Sequence, residues 1–303
     1  MEKTIVLMST YNGQAFLKKQ LDSIFEQDYS EKIETIIRDD GSIDNTKEII
    51  SQYPQSDKRI ITLIEGANVG PQKSFLELIR FSGEADYYFF ADQDDIWYKD
   101  KISRAINSIR PYDIPACYCS NYDIYNCDMH KIRRNVITER PNFKPLSIIF
   151  YNQIPGCVMG FNKKLMDALK KIKIDNVMMH DSMVLSFCAC IGKIVYDKRP
   201  TIAHRIHGDN VVGEGHKKII PHKWIVEKTK LVLKKDNYDL SVMADQFIKT
   251  NLVKNYLSDL ILLRDYKKKW SNTFNLLRHP DSHYIFMDRT TLSIRCKILM
   301  HVF

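Results

Sequence analysis

The 303-residue chain has no run of 18 apolar residues, which excludes an ordinary membrane-spanning helix. Met1-Glu2-Lys3 leads straight into the strand-like Ile5-Val6-Leu7-Met8 without the layout of a signal peptide, so the cytosol is the expected compartment. No C-x-x-C pair occurs among Cys117, Cys119, Cys127, Cys157, Cys188, Cys190 and Cys296, and the odd count points to buried reduced thiols rather than disulfides or zinc. The phosphate fingerprints G-x-G-x-x-G and G-x-x-x-x-G-K-[ST] are both missing, so neither a dinucleotide fold nor a P-loop NTPase is supported. Internal repeats and low-complexity segments are absent as well. From Lys217 onward there is no glycine, and the only prolines are Pro221 and Pro280, which suits a mainly helical tail.

What is present describes an ordinary globular protein. Hydrophobic residues make up 44% and charged residues 27%, enough for one large domain, or one domain with an appendage. The net charge of +8 is concentrated in the tail: residues 217–303 carry 17 Lys and Arg against 8 Asp and Glu, whereas residues 1–216 carry 28 against 29. We therefore expect two regions, an α/β domain over 1–216 and a basic, mainly helical region over 217–303. Nucleic acid, anionic lipid and plain solvent all suit a basic tail, but the slightly acidic first region argues against a nucleic-acid binder.

Apolar runs and helical spacings alternate from the start. Strands are expected at Ile5–Met8, Ile33–Arg38, Ile60–Ile64 and Tyr87–Phe90, with helices from Phe16 to Phe25, Asp44 to Tyr53 and Gln72 to Phe81 between them. That rhythm predicts a parallel sheet wrapped by helices. Helices are further expected over 99–110, 145–151, 163–172 and 179–191, strands over 116–122, 193–196 and 201–206, and a hairpin or loop excursion over 123–141. In the tail, Leu240, Met243, Phe247, Val253, Tyr256, Leu257, Leu260 and Leu263 recur at helical spacing.

Ligands of open α/β sheets gather beyond the carboxyl ends of the strands. The polar signals fall there: Thr10-Tyr11-Asn12, Asp39-Asp40, Asn68-Val69-Gly70, and Asp92-Gln93-Asp94-Asp95. Three aspartates in four residues repel one another unless a cation neutralises them, and hard oxygen ligands suit Mg²⁺ or Mn²⁺ with positions left for phosphates. The plainer alternative is an acidic turn capping the next helix. Alternation along 204–207 puts Arg205 and His207 on one face, a pairing that suits a diphosphate and its metal. Gly156 and Gly160 bracket an apolar stretch, which marks either a close approach by a ligand or tight packing. Asp181 stands near a helix start, where a cap is the commoner role.

These motifs taken together, with Ser9, Gly41-Ser42, Asp44, Thr46 and His180-Asp181, resemble the family 2 glycosyltransferases of the GT-A fold. Within that family, Ala91 to Trp97, Pro155 to Asn162 and His207 to Gly213 are most similar to bacterial rhamnosyltransferases of cell-wall and capsular polysaccharide. The resemblance implies an α/β fold with a mostly parallel central sheet flanked by helices and a helical C-terminal extension. It implies that Thr10, Tyr11, Asn12, Asp39, Asp40, Asn68, Gly70, Asp92, Gln93 and Arg205 bind the nucleotide donor, Asp40 reading a pyrimidine base and Arg205 facing the diphosphate. Asp92, Asp94 and His207 would form the metal site for Mg²⁺ or Mn²⁺. Asp181 would be the general base, with Asp95, Trp97, Gly156, Cys157 and His180 lining the sugar and acceptor side.

The implied reaction is inverting transfer of one sugar, with dTDP-L-rhamnose as the first-choice donor and a UDP-hexose as the alternative. The implied acceptor is a polyprenyl-linked glycan at the inner membrane face, reached through peripheral association of the tail near Lys267-Lys268-Lys269-Trp270, where a second copy of the chain is the alternative contact. The Q-x-x-R-W motif of processive members is missing around Trp224. Two readings of other classes stand beside this one, a metal-dependent phosphohydrolase and a nucleotide-sugar binding module without catalysis.

Overall fold

The computed structural model describes residues 2–175, 179–207, 239–281 and 298–299. Two compact units emerge, and they do not divide at one point of the chain: the first takes 1–141, 154–171 and 192–211, and the second takes 142–153, 172–191 and the remainder from 212.

The first unit is built on a nine-stranded sheet. β1 (Lys3–Thr10), β2 (Lys32–Asp39), β3 (Arg59–Glu65) and β4 (Tyr87–Ala91) run parallel, in the spatial order β3-β2-β1-β4. Every residue of β4 is buried, as a strand covered on both faces requires. The helices between them, α1 (Leu17–Phe25), α2 (Thr46–Ser51) and α3 (Pro71–Phe81), carry their apolar residues inward, Leu17, Leu21 and Ile24 on α1 and Phe75, Leu76, Leu78 and Ile79 on α3. α3 starts at Pro71, directly after Gly70, whose φ of +83° favours a residue without a Cβ.

Beyond β4 the sheet becomes mixed, which the strand-helix rhythm did not foretell. After the short β5 (Ile96–Trp97) come α4 (Lys101–Ile109), β6 (Ala116–Tyr125) and β7 (Lys131–Arg133), which folds back on Ile124 and Tyr125 as the expected hairpin. A 3-10 turn, Gly156–Val158, then feeds β8 (Met159–Asn162), which lies antiparallel to both β4 and β6 and is followed by α6 (Lys163–Leu169). A Cβ on Gly160 would lie 2.4 Å from the Phe89 ring, so this glycine answers to strand packing and not to a ligand. The two strands expected over 193–206 are one, β9 (Lys193–Arg205), parallel to β6 and antiparallel to β5. Its register shifts opposite Ser120, Asn121 and Asp123, and the polar Lys198-Arg199-Pro200 stretch that looked like a break is an irregularity inside a continuous strand.

The second unit is helical. α5 (Pro145–Phe150) packs with α7 (His180–Ile191), which is buried along almost its whole length. α8 (Leu240–Lys249), α9 (Leu257–Asp265) and α10 (Trp270–Arg278) realise the expected helical tail as far as it is described. Cys117, Cys119, Cys157, Cys188 and Cys190 are buried thiols as expected, whereas Cys127 is exposed. No helix among the described residues is long and apolar enough to cross a membrane. The motif residues Gly208 to Gly213, Trp224 and Cys296 lie outside the described residues.

Candidate active site

The loops after β1, β2 and β4 are stitched into one surface. Asn12, with φ of +47°, receives at its Oδ1 the N–H of Ile43 and donates its own N–H to Ser42 Oγ. Gly13 N–H donates to Thr46 Oγ1 at 2.8 Å. Gln93 clasps the backbone of Tyr11 on both sides, accepting from its N–H at 3.0 Å and donating to its carbonyl at 3.1 Å. The Asp92–Asp95 turn is thereby tied to the first loop.

Asp39 and Asp40 are both buried. The Asp39 carboxylate accepts from Thr10 Oγ1, from Ser42 N–H and from Ser42 Oγ. These bonds close the β1 and β2 loops on each other. Thr10, 1% exposed and bonded to Asp39, shares that structural role. Asp40 pairs with Arg38 at 2.5 Å and accepts the N–H groups of Val69 and Gly70 at 2.9 and 2.8 Å. Its carboxylate shapes the Asn68–Gly70 loop, in which Asn68 itself is exposed, as Tyr11 is in the loop after β1.

The carboxylates of the Asp92–Asp95 turn are crowded instead of clasped. Asp92 is held well above the ordinary carboxylate range by burial and by the charges of Asp95 and Asp94. Asp94 moves the same way through burial and Asp95, while His207 pulls it back. His207 Nε2 stands 2.7 Å from Asp94 Oδ2, and its ring stacks on Phe16 with centroids 4.6 Å apart. Arg205 lies over the same Phe16 ring at 4.7 Å, so the alternation along 204–207 does bring Arg205 and His207 to one place.

Arg205 is 2% exposed, however, and donates from Nε to the Asp94 carbonyl and from Nη1 to the Cys127 carbonyl. Through these two bonds it braces the backbone of the acidic turn. On the opposite face, His204 Nδ1 meets Asp95 Oδ1 at 2.8 Å. Burial alone would lower the His204 pKa, but Asp95 outweighs it, with Asp92 and Asp94 adding to the effect, and the ring is pushed up to about 9. Asp95 also accepts the Arg205 N–H and is fully buried. Asp95, Trp97, Gly156 and Cys157 were expected to touch sugar or acceptor, yet all four are buried; Trp97 packs on Phe89 inside the unit. Residues on a polar turn look alike in sequence whether they face a ligand or a neighbouring strand.

The donor set expected for a metal is realised in part. Asp94 and His207 converge, a carboxylate and an imidazole that fit a divalent cation while leaving most of its coordination positions for other ligands. Asp92 belongs to neither of the groups of three ligand-type side chains that come together among the described residues. One of those groups, Asp95, Cys157 and His204, directly adjoins the site, and there the histidine and the carboxylate already bond each other. Sequence reasoning gave no functional weight to Phe16 or His204; their only signals were a helical apolar position and a place on the other face of the strand.

The second unit holds His180 and Asp181 in the first turn of α7, both buried. Asp181 Oδ1 accepts from the Ser182 N–H at 2.5 Å, a bond to the next residue inside a helix that already starts at His180, which is not the bond of a capping side chain. Burial pushes His180 down to about 3, so its ring is neutral at ordinary pH.

The family model "Glycosyl transferase family 2" matches residues 5–172, a stretch that runs from within β1 past β8 and includes the acidic turn. The chain belongs to glycosyl transferase family 2. This family 2 glycosyltransferase is 32% identical over 280 residues to the dTDP-rhamnosyl transferase RfbG of Shigella flexneri, covering 86% of this chain and 93% of that protein. It is 34% identical to the teichuronic acid biosynthesis glycosyltransferase TuaG of Bacillus subtilis over 33% of this chain and 39% of that one. Among solved structures, S. aureus TarS 1-349 in complex with UDP-GlcNAc matches with a TM-score of 0.55 at 14% identity, covering 98% of this chain and 90% of that one. The mannosyltransferase PcManGT of Pyrobaculum calidifontis, in complex with GDP-Man and Mn²⁺, matches with a TM-score of 0.54 at 15% identity, covering 99% and 86%. At such identities these neighbours establish the GT-A fold and nothing finer.

Proposed function

We propose that this glycosyltransferase moves one L-rhamnosyl residue from dTDP-L-rhamnose to a hydroxyl of a lipid-linked cell-surface polysaccharide precursor, with inversion and with a divalent cation. The observation that carries the donor assignment is the 32% identity to a dTDP-rhamnosyl transferase along nearly the full length of both chains. The convergence of Asp94 and His207 beside the stitched nucleotide-side loops supports the metal.

In this reading Tyr11, Asn12 and Asn68 line the nucleoside, and Asp40, from the base of the Asn68–Gly70 loop, selects a pyrimidine. Asp94 and His207 would hold Mg²⁺ or Mn²⁺, which when bound neutralises charge on the leaving diphosphate. Phe16 keeps the His207 ring in place by stacking, and Gln93 and Arg205 fix the backbone of the turn that presents Asp94. Asp181 removes the proton of the attacking hydroxyl, a task for a carboxylate and not for the neutral His180 beside it. No covalent intermediate is needed.

The tail serves the acceptor. Trp270 and Phe274 are 59% and 48% exposed on α10, directly after Lys267-Lys268-Lys269, an arrangement suited to an anionic membrane surface that carries a polyprenyl-linked glycan.

A donor panel tests the assignment: release of nucleoside diphosphate in the presence of a synthetic polyprenyl-linked acceptor is expected to be fastest with dTDP-L-rhamnose. A preference for UDP-glucose, UDP-galactose or GDP-mannose would overturn the rhamnose assignment while leaving the family intact. Release that does not depend on acceptor would favour a hydrolase.

A further inference from the structure

Lys101, at the start of α4, is the one lysine among the largest fully buried side chains, with 1% exposure. An ammonium group taken out of water is costly unless fixed dipoles or charges compensate it. Its Nζ donates to the Cys157 carbonyl at 2.7 Å and lies 4.6 Å from the centre of the Trp97 ring. Both contacts adjoin the acidic turn, since the Cys157 sulfur lies within 4.8 Å of the Asp95 carboxylate and the His204 ring. Trp97 is in β5, two residues beyond Asp95, and Cys157 is in the 3-10 turn that feeds β8 alongside β4. Asp95 and Asp92 act on the ammonium through space, favouring its charged form against burial, and the Lys101 pKa settles at about 8.

We propose that Lys101 is a positioning residue that supplies a fixed positive charge behind the Asp92–Asp95 turn and thereby weakens its hold on a divalent cation, so that metal and nucleoside diphosphate leave after transfer. The three carboxylates raise one another through their charges, His204 faces Asp95, and the Lys101 ammonium lies at the Cys157 carbonyl, whose residue adjoins Asp95. This inference rests on the reading of Asp94 and His207 as the metal ligands.

The test is Mn²⁺ binding to the full chain, followed without turnover by the electron paramagnetic resonance signal of free Mn²⁺. Lys101→Met keeps the length of the side chain and removes its charge; it is expected to bind Mn²⁺ roughly tenfold more tightly, since a like charge nearby in a poorly solvated site has been removed. Product release should slow in parallel, with kcat falling and the KM for donor falling with it. Lys101→Gln should move affinity in the same direction, and Lys101→Arg should restore wild-type affinity. An affinity in Lys101→Met within twofold of wild type would overturn the proposal, as would a lower Tm with unchanged metal binding. Failure of both neutral variants to fold would overturn it too, making Lys101 a part of the fold alone. If wild type binds Mn²⁺ and Asp94→Asn does not, an unchanged Lys101→Met counts against this inference only. If wild type binds no Mn²⁺, the metal reading fails and this inference falls with it.

Discussion

Two groups of aspartates end neighbouring strands of one sheet, and they are treated in opposite ways. Asp39 and Asp40, after β2, are each met by three donors, which include the hydroxyls of Thr10 and Ser42, the Arg38 guanidinium and the backbone N–H groups of Ser42, Val69 and Gly70. Asp92, half-buried, and Asp94, buried, follow β4 and are held above the usual carboxylate range by desolvation and by the charge of Asp95. A carboxylate surrounded by donors stabilises its loop by being charged. A crowded carboxylate costs stability in its charged form, and that cost is recovered when a cation binds. The first pair shapes its loops, and the second is the pair whose crowding the proposed cation would relieve.

Substitutions should separate the two. The largest effect is expected from outside both groups: Asp181→Asn keeps the size of the side chain and its acceptor for the Ser182 N–H, yet should lower turnover by roughly 10²–10⁴ because it cannot take a proton. Near-normal turnover, measured as nucleoside diphosphate release, would move the base elsewhere. Asp94→Asn should lower turnover by about 10²–10³ with Tm unchanged or raised, the mark of a crowded charge. Asp39→Ala should do the reverse in stability, lowering it by about 1–3 kcal/mol in denaturant titrations by leaving the donors of Thr10 and Ser42 unmatched. If Asp39→Ala melts like wild type, the clasp is not what holds the loops.

Much of this contrast was not legible in the sequence. Strands β1 to β4 were, because continuous apolar runs of that length have few other uses. The shared face of Arg205 and His207 followed from the two-residue period of a strand and was borne out. The direction of β8 was hidden, since a four-residue strand with a glycine inside it carries no sign of which way it runs. β9 was read as two strands because its bulge is made of the charged residues and proline that usually end one. Within the site, sequence pattern cannot distinguish an aspartate that faces a ligand from one that faces a histidine of another strand, which is the situation of Asp95 and His204, 109 residues apart. The burial of Lys101 was invisible for the same reason: a lysine early in a helix is ordinarily solvated.

A smaller effect should come from His180. Its folded pKa of about 3 lies below the model-peptide value of 6.5, so the unfolded chain binds the proton first. This contribution to stability is complete above pH 6.5 and is lost as pH falls towards 3. Going from pH 7 to 5 should cost wild type about 2 kcal/mol through this residue, and His180→Gln should flatten that part of the profile. An identical slope in the variant would contradict the burial. The smallest expected change is in Trp270→Ala, which should leave turnover on a soluble acceptor analogue unaltered and reduce binding to anionic vesicles by several-fold. Undiminished vesicle binding would take the tail's exposed aromatics out of the account.

The comparison between the two groups of aspartates is tested most directly by calorimetric titration of dTDP-L-rhamnose into wild type, Asp94→Asn and Asp39→Asn, each with Mn²⁺ and with excess EDTA. The account predicts that Mn²⁺ strengthens binding to wild type and to Asp39→Asn but not to Asp94→Asn. Equal affinities in Mn²⁺ and EDTA for wild type, or an Mn²⁺ effect that survives in Asp94→Asn, would contradict it.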